Sequence, residues 1–355
     1  MATASGLARS DKCALLSVSL FQPHGVPMEG MFEYIRVDDP SQDDLNERPD
    51  PARPRAITDT SAVRPAMIAL LAQIRNRLTE HLSSDSRRTP LGGVGIFHCR
   101  RAQALRNIPI HQPVAVLVVS GHKRIVLGER SITVLPGQLL LLPGGCTVEI
   151  GNHPGDRGEA YLGLAITFPE QSVEQFRRSY GRELPEHTQA LWSSTAPGDM
   201  VAALAQWVDW CLQHPVDPIL ARHRQVEILL LLARAGIAGN LLINRDATWH
   251  DRVAQLIALD PARDWSAGEV CRRLGIGEST LRRRLREEAS GFRQVLEESR
   301  MIAALSLLQE TFWPVGQVAE AVGYSSHSRF SERFKRRFGL SPIELKRTRE
   351  SDGGQ

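Results

Sequence analysis

The 355-residue chain is short of cysteine, and its five, Cys13, Cys99, Cys146, Cys211 and Cys271, are scattered with no Cys-x-x-Cys pair. That leaves neither a disulfide framework nor a zinc-finger spacing, and it reads as reduced, structural thiols in a cytosolic protein. The sequence contains no His-x-His. No apolar run approaches the roughly 20 residues that span a bilayer, since LLLLP at 139–143 and LLLLA at 229–233 are far shorter. The opening MATASGLARSDK lacks the apolar stretch and cleavage pattern of a secretory signal. Net charge is only +3, which by itself names no partner. What remains is an ordinary globular composition on a chain long enough for two cores.

Charge is low in sum but uneven along the chain. Residues 261–349 hold 17 Lys and Arg against 11 Asp and Glu, whereas the rest holds 26 against 29. Positive charge gathered in one segment is the electrostatic footprint of a phosphate-binding module.

Before that segment the pattern changes three times. Residues 37–55, VDDPSQDDLNERPDPARPR, are rich in proline and charge, the composition of a mobile extension; a short apolar run at 13–21 is a strand candidate. Met67, Leu70, Leu71, Ile74 and Leu78 mark an amphipathic helix over 63–82. Between 93 and 168 come short β-rich runs at 114–121, 123–128, 131–135, 138–145, 146–151 and 160–168, punctuated by Gly and Pro. That spacing predicts a small antiparallel barrel or sandwich. Helices are expected over 173–180, 199–213, 218–235 and 251–259. LLLLA at 229–233 is apolar all round and so buried, within the chain or against a second copy.

The basic segment repeats itself. Ala267, Val270, Cys271 and Leu274 recur 48 residues later as Val315, Val318, Ala319 and Val322, each set forming one buried helical face. Both sets run into a glycine, Gly275 or Gly323, suited to a left-handed helix C-terminus, and an arginine-rich helix follows each. This is a helix-turn-helix written twice. Ser266 to Glu269 and Ser341 to Glu344 fit capping boxes, and Trp313-Pro314 marks the start of the second motif. A helix over 294–309 joins the two, and on B-DNA their recognition helices should stand about one turn, roughly 34 Å, apart.

The sequence AEAVGYSSHSRFSERFKRRFGLSP, 319–342, resembles the signature of the AraC/XylS-type transcription regulators, agreeing at Ala319, Gly323, Tyr324, Ser328, Phe330, Phe334, Lys335, Gly339, Ser341 and Pro342. The resemblance covers about 100 residues. It implies recognition helices at 278–286 and 326–336, with Ser279, Arg282 and Arg283 at base edges in one groove and His327, Ser328 and Glu332 in the other. Arginine suits guanine because its fork pairs O6 and N7. Arg284, Arg286, Arg333, Lys335 and Arg336 fall to phosphate, where they add affinity without sequence choice. Leu281, Leu285, Phe330 and Phe334 read as core. Glu332 stands where relatives often carry arginine; it either accepts from a cytosine amino group or turns back onto Arg329 or Arg336. Leu345-Lys346 departs from the usual aromatic followed by arginine.

The run from 112 to 145, with Gly121-His122-Lys123-Arg124, Leu127-Gly128 and Pro136-Gly137, resembles the cupin-like sensor domain of one AraC-type subgroup. Cupin enzymes hold a metal with His-x-His, Glu and a later His; here His98, His111, His122 and His153 stand apart, so no metal or cofactor is expected. His122 beside Lys123 and Arg124 could meet an anionic effector, though the residues alone favour a surface hairpin.

The resulting expectation is an α+β chain. It has an N-terminal extension (1–60), a cupin-like antiparallel β-barrel with flanking helices for sensing and dimerisation (61–245), and an all-α domain of two helix-turn-helix motifs joined by a linker helix (250–349). Its function is sequence-specific reading of double-stranded DNA as a cytoplasmic, non-enzymatic regulator, an activator by resemblance. Its expected partners are an unidentified small-molecule effector, RNA polymerase and a second copy of itself, with no membrane. The alternatives are a cupin-type enzyme with an accessory DNA-binding module and a constitutive DNA-binding dimer without effector. In binding measurements on a cognate duplex, Arg283→Ala should cost roughly 1–3 kcal/mol and relax preference at one base pair. Arg333→Ala should weaken all sequences alike; a uniform loss from Arg283→Ala would remove that residue from the base edges.

Overall fold

The computed structural model describes residues 60–84, 91–156, 158–181, 191–243 and 247–350. The expected strand at 13–21 and the proline-rich stretch at 37–55 lie outside them. Helix α1 (Thr60–Ser84) precedes eight strands. These are β1 (Val94–Cys99), β2 (Gln103–Ile110), β3 (Val114–Ser120), β4 (His122–Leu127), β5 (Arg130–Val134), β6 (Gln138–Leu142), β7 (Cys146–His153) and β8 (Tyr161–Thr167). Then come α2 (Glu170–Tyr180), β9 (Ser193–Thr195), α3 (Gly198–Gln213) and α4 (Pro218–Arg234). The strands form two antiparallel sheets, β1-β8-β3-β6-β9 and β2-β7-β4-β5.

Alternation decides what each strand buries, because successive side chains point to opposite faces. On β3, Val114, Val116 and Val118 face the barrel interior, while Ala115, Leu117 and Val119 face outward. That outer face is covered by α1, α3 and α4 through Leu78, Met200, Leu204, Trp207, Leu229 and Leu232. A sheet covered on both sides needs apolar residues at every position, which accounts for VAVLVVS and QLLLL. The helical sequence LLLLA is buried at Leu229, Leu232 and Ala233, with Leu230 and Leu231 half-buried against the same cluster.

Strands β1 and β2 were absent from the β-rich runs read in the sequence. The reason is local. β2 bulges between Leu105 and Ile108, with Asn107 at φ +52°, so its alternation breaks halfway. β1 carries Gly95 and His98 among its apolar residues.

The C-terminal half contains α5 (Trp249–Ala258), α6 (Ala267–Leu274), α7 (Glu278–Glu287), α8 (Phe292–Glu310), α9 (Val315–Ala321), α10 (His327–Phe338) and α11 (Pro342–Arg347). Gly275 and Gly323 take φ +68° and +80°, the left-handed turns that let α6 meet α7 and α9 meet α10. The capping box at Ser341 is complete. At Ser266 only half forms: the hydroxyl accepts from Glu269 N–H, while the Glu269 carboxylate turns to Arg263 and Arg273. Pro314 sits at the N-cap of α9 rather than inside its first turn.

Leu281, Leu285, Phe330 and Phe334 are buried, as their spacing requires. Phe330, Phe334 and Phe338 pack in a row along α10, tilted and edge-on, with ring centroids 5.9 and 4.7 Å apart. A single cluster runs from the barrel interior (Val116, Ile125, Val148, Tyr161) into α5, α8 and α10 (Ile257, Met301, Leu305, Phe334). Phe334→Ala should therefore cost roughly 3–5 kcal/mol in denaturant unfolding. A loss below about 1 kcal/mol would place this ring outside the core.

Candidate nucleic-acid interface

The two helix-turn-helix units are built on one plan. Gly268, the second residue of α6, lies under Glu278, which opens α7; a Cβ there would come within 2.8 Å of a Glu278 carboxylate oxygen. Gly316, 48 residues on, lies under His327, which opens α10, and a Cβ would come within 2.8 Å of that ring. In both units the first helix thus carries a glycine where the second helix crosses. α8 joins the units with one long buried stripe including Val295, Met301, Ile302, Leu305 and Leu308.

With Leu281 and Leu285 inward, α7 exposes Ser279, Arg282, Arg283, Arg284 and Arg286. With its phenylalanines inward, α10 exposes His327, Ser328, Arg329, Glu332, Lys335 and Arg336, and Arg333 is half-buried. The residues assigned from sequence to bases and phosphates therefore share the outer faces of α7 and α10. Several are held by carboxylates. Arg283 donates to Glu287 at 2.9 Å, and Arg284 lies 3.5 Å from the same group. Arg333 and Arg336 both pair with Glu297 of α8, the latter at 3.6 Å. Lys335 lies 3.5 Å from Glu344. Glu332 approaches Arg336 at 4.0 Å, the turned-back arrangement allowed for it. Such exposed pairs are worth at most about 1 kcal/mol, so a phosphate can displace them.

Arg337 was not among the sequence assignments. It points away from the reading face and donates to Glu298 at 2.8 Å, a carboxylate only 2% exposed. Only its place one residue beyond Arg336 on a helix, about 100° further round, hinted at this.

The helices dock on the barrel. Asn107, at the β2 bulge, donates to the Arg337 carbonyl at 3.3 Å. The backbone N–H groups of Arg100 and Arg101 donate to the Thr348 carbonyl at 2.7 and 3.0 Å. Within the helical half, Arg349 donates to the carbonyls of Leu308 and Thr311 at 2.6 and 2.5 Å. His111, before β3, lies 3.8 Å from Asp251 of α5, and burial holds its pKa well below the ordinary value.

A buried polar chain also crosses this seam. Lys123 Nζ donates to Asn152 Oδ1 at 2.6 Å. Asn152 donates to Gln103 at 3.0 Å, and Gln103 donates to Thr348 at 2.7 Å. Lys123 is 2% exposed, so the surface hairpin inferred for His122 to Arg124 holds only for its neighbours. Parity along β4 is the reason: Lys123 shares a face with Ile125 and Leu127, which point inward. Its ammonium lies 5.1 Å from the Phe97 ring centroid and 5.5 Å from that of Tyr161. Burial pushes its pKa down to about 7. His122 and His153, far apart in sequence, stack with centroids 4.6 Å apart. Among the described residues no three His, Cys, Asp or Glu side chains gather as a metal site. No described helix is long and apolar enough to cross a membrane.

Residues 270–348 match the helix-turn-helix domain family, and residues 90–238 match the AraC-type transcriptional regulator N-terminus. The chain thus carries an AraC-type regulator N-terminal domain followed by a helix-turn-helix domain. Among its relatives are the HTH-type transcriptional activator CfaD of Escherichia coli, 31% identical over 31% of this chain and 41% of that protein. The urease operon transcriptional activator of Escherichia coli is 30% identical over 37% and 45%. The chain thus spans less than half the length of these relatives. An apo ToxT variant from Vibrio cholerae superposes with a TM-score of 0.53 at 15% identity, covering 74% of this chain and all of that one. Wild-type ToxT with an unsaturated fatty acid bound gives 0.50 at 17%, over 74% and 97%. At that identity the likeness shows a shared fold.

Lys123 makes the stability of this AraC-type fold depend on pH. Its folded pKa, about 7, lies below the 10.5 of the free side chain. The unfolded chain therefore binds the extra proton between those values, and stability rises with pH across that window. Lys123→Met should raise the melting temperature at pH 6, with the gain shrinking by pH 9.5. A gain independent of pH would show that the ammonium carries no burial penalty.

Proposed function

We propose that this chain is a sequence-specific, DNA-binding transcription activator without catalytic activity, reading two adjacent major-groove segments in response to a small molecule. Residues 250–349 read DNA, and residues 61–245 sense the effector and dimerise. The observation that carries the reading is the pair of recognition helices, α7 and α10. Each has an apolar face sunk in the core and an arginine-bearing face outward, and α8 holds the two together. Ser279, Arg282, Arg283, His327, Ser328 and Glu332 read base edges; Arg284, Arg286, Arg333, Lys335 and Arg336 hold phosphate. RNA polymerase and a second copy are the protein partners, and the cytoplasm is the compartment.

The effector we propose is an anionic small molecule whose acid group meets Lys123. A buried ammonium is costly without a counter-charge, and Lys123 has no carboxylate partner among the described residues. The Tyr161 hydroxyl beside it is also buried with no hydrogen-bond partner there. ToxT, which shares the fold, holds an unsaturated fatty acid, an acid of the class proposed.

The test is to capture sheared source-genome DNA on the purified protein at about 150 mM salt, where weak phosphate binding largely washes away, with and without oleate. A recurrent motif of two blocks about one helical turn apart, with occupancy changed by oleate, is expected. Retention without a motif would leave only phosphate binding. A motif unaffected by oleate would favour another acid or the constitutive reading.

A further inference from the structure

The arginines of the helical half divide by what they touch. Arg283, Arg284, Arg333 and Arg336 lie against carboxylates, and Arg337 is sunk onto Glu298. Arg300 directs its donors at the backbone carbonyls of Pro261, Arg263 and Gly323. Arg293, in the first turn of α8, belongs to neither group. It is exposed and has no carboxylate partner among the described residues.

Its place is between the reading heads. It lines a cleft of about 610 Å³ with Arg282 and Arg286 of the first unit. It also lines one of about 340 Å³ with Arg329 and Arg333 of the second. A third, of about 520 Å³, continues past Arg336 to Asn107 on the barrel. The acids along these clefts are Glu278, Glu297 and Glu298. The last two are already paired with Arg333, Arg336 and Arg337. Positive charge is therefore in excess across the gap.

The DNA that would fill this gap follows from duplex geometry. Two major-groove segments on one face are separated by a minor groove turned toward the protein, bordered by phosphates of both strands. A guanidinium there meets phosphate oxygens with paired N–H donors.

We infer that Arg293 grips the sugar-phosphate backbone where it crosses between the two reading heads, contributing affinity and joint register but no base preference. This rests on the DNA-reading function proposed above.

The test is the salt dependence of binding to a duplex of fixed arbitrary sequence and to the captured motif, using the full chain. Arg293→Gln should lower affinity for both duplexes alike, roughly three- to tenfold, and reduce the slope of log K against log salt by about one. Arg293→Lys should keep the slope. Arg178→Gln, which removes an exposed arginine from α2 on the other half of the chain, should leave both quantities at wild type. Because Arg293 is exposed, its melting temperature should not move. Unchanged affinity and slope in Arg293→Gln, with normal wild-type binding, overturn the Arg293 assignment alone. Loss of preference at a single base pair overturns it in favour of a base contact. Absence of wild-type binding to either duplex overturns the DNA reading and this inference with it.

Discussion

The seam between the barrel and the C-terminal helices must bury charged and polar groups, and satisfying them fixes how the two halves meet. Glu298 is almost wholly buried and is matched by Arg337 from the second recognition helix. Arg349 ends on two carbonyls at the end of α8 and just beyond it. Gln103 of β2 reaches Thr348. A buried charge stripped of its partner costs several kcal/mol; Arg337 and Arg349 satisfy theirs within the helical half, and Gln103 ties that half to β2. The apolar cluster shared by barrel and helices supplies bulk adhesion, whereas the polar contacts supply registry.

This seam also orients the reading face. The barrel touches α10 on its inner side and at its C-terminal end, through Asn107 and Arg337, and leaves His327, Ser328 and Glu332 outward. The left-handed backbone at Asn107 is an uncommon conformation for a side chain to hold, and here it presents an amide to the last turn of a helix. Barrel and helices are thus in direct contact without the barrel covering the outer face of α10. The chain from Lys123 through Asn152 and Gln103 to Thr348 passes through the same contact. It links the interior of the barrel to the end of α11 by consecutive hydrogen bonds.

The likeness to ToxT extends over both halves, whereas sequence identity with the curated relatives is confined to about a third of this chain. Helix-turn-helix geometry constrains specific residues: a glycine at each turn, a small residue at each crossing and aromatic rings along α10. Barrel strands ask only for alternation and turns, which many sequences satisfy.

Much of the architecture was legible in the residues because it rests on local periodicity. The repeat of small residues and glycines at a 48-residue interval specifies two helix-turn-helix units wherever they sit. Apolar spacing on α7 and α10 divides core from surface, and Gly-Pro punctuation marks six of the barrel strands. Three features needed the tertiary structure. β2 was hidden because its bulge breaks alternation. Arg337 was indistinguishable from its basic neighbours until the barrel occupied one side of α10. Lys123 looked like part of an exposed hairpin until the five-stranded sheet closed over it with Phe97 and Tyr161. Each depends on which distant element covers a given face. Local sequence sets periodicity, but long-range packing decides what lies on the other side.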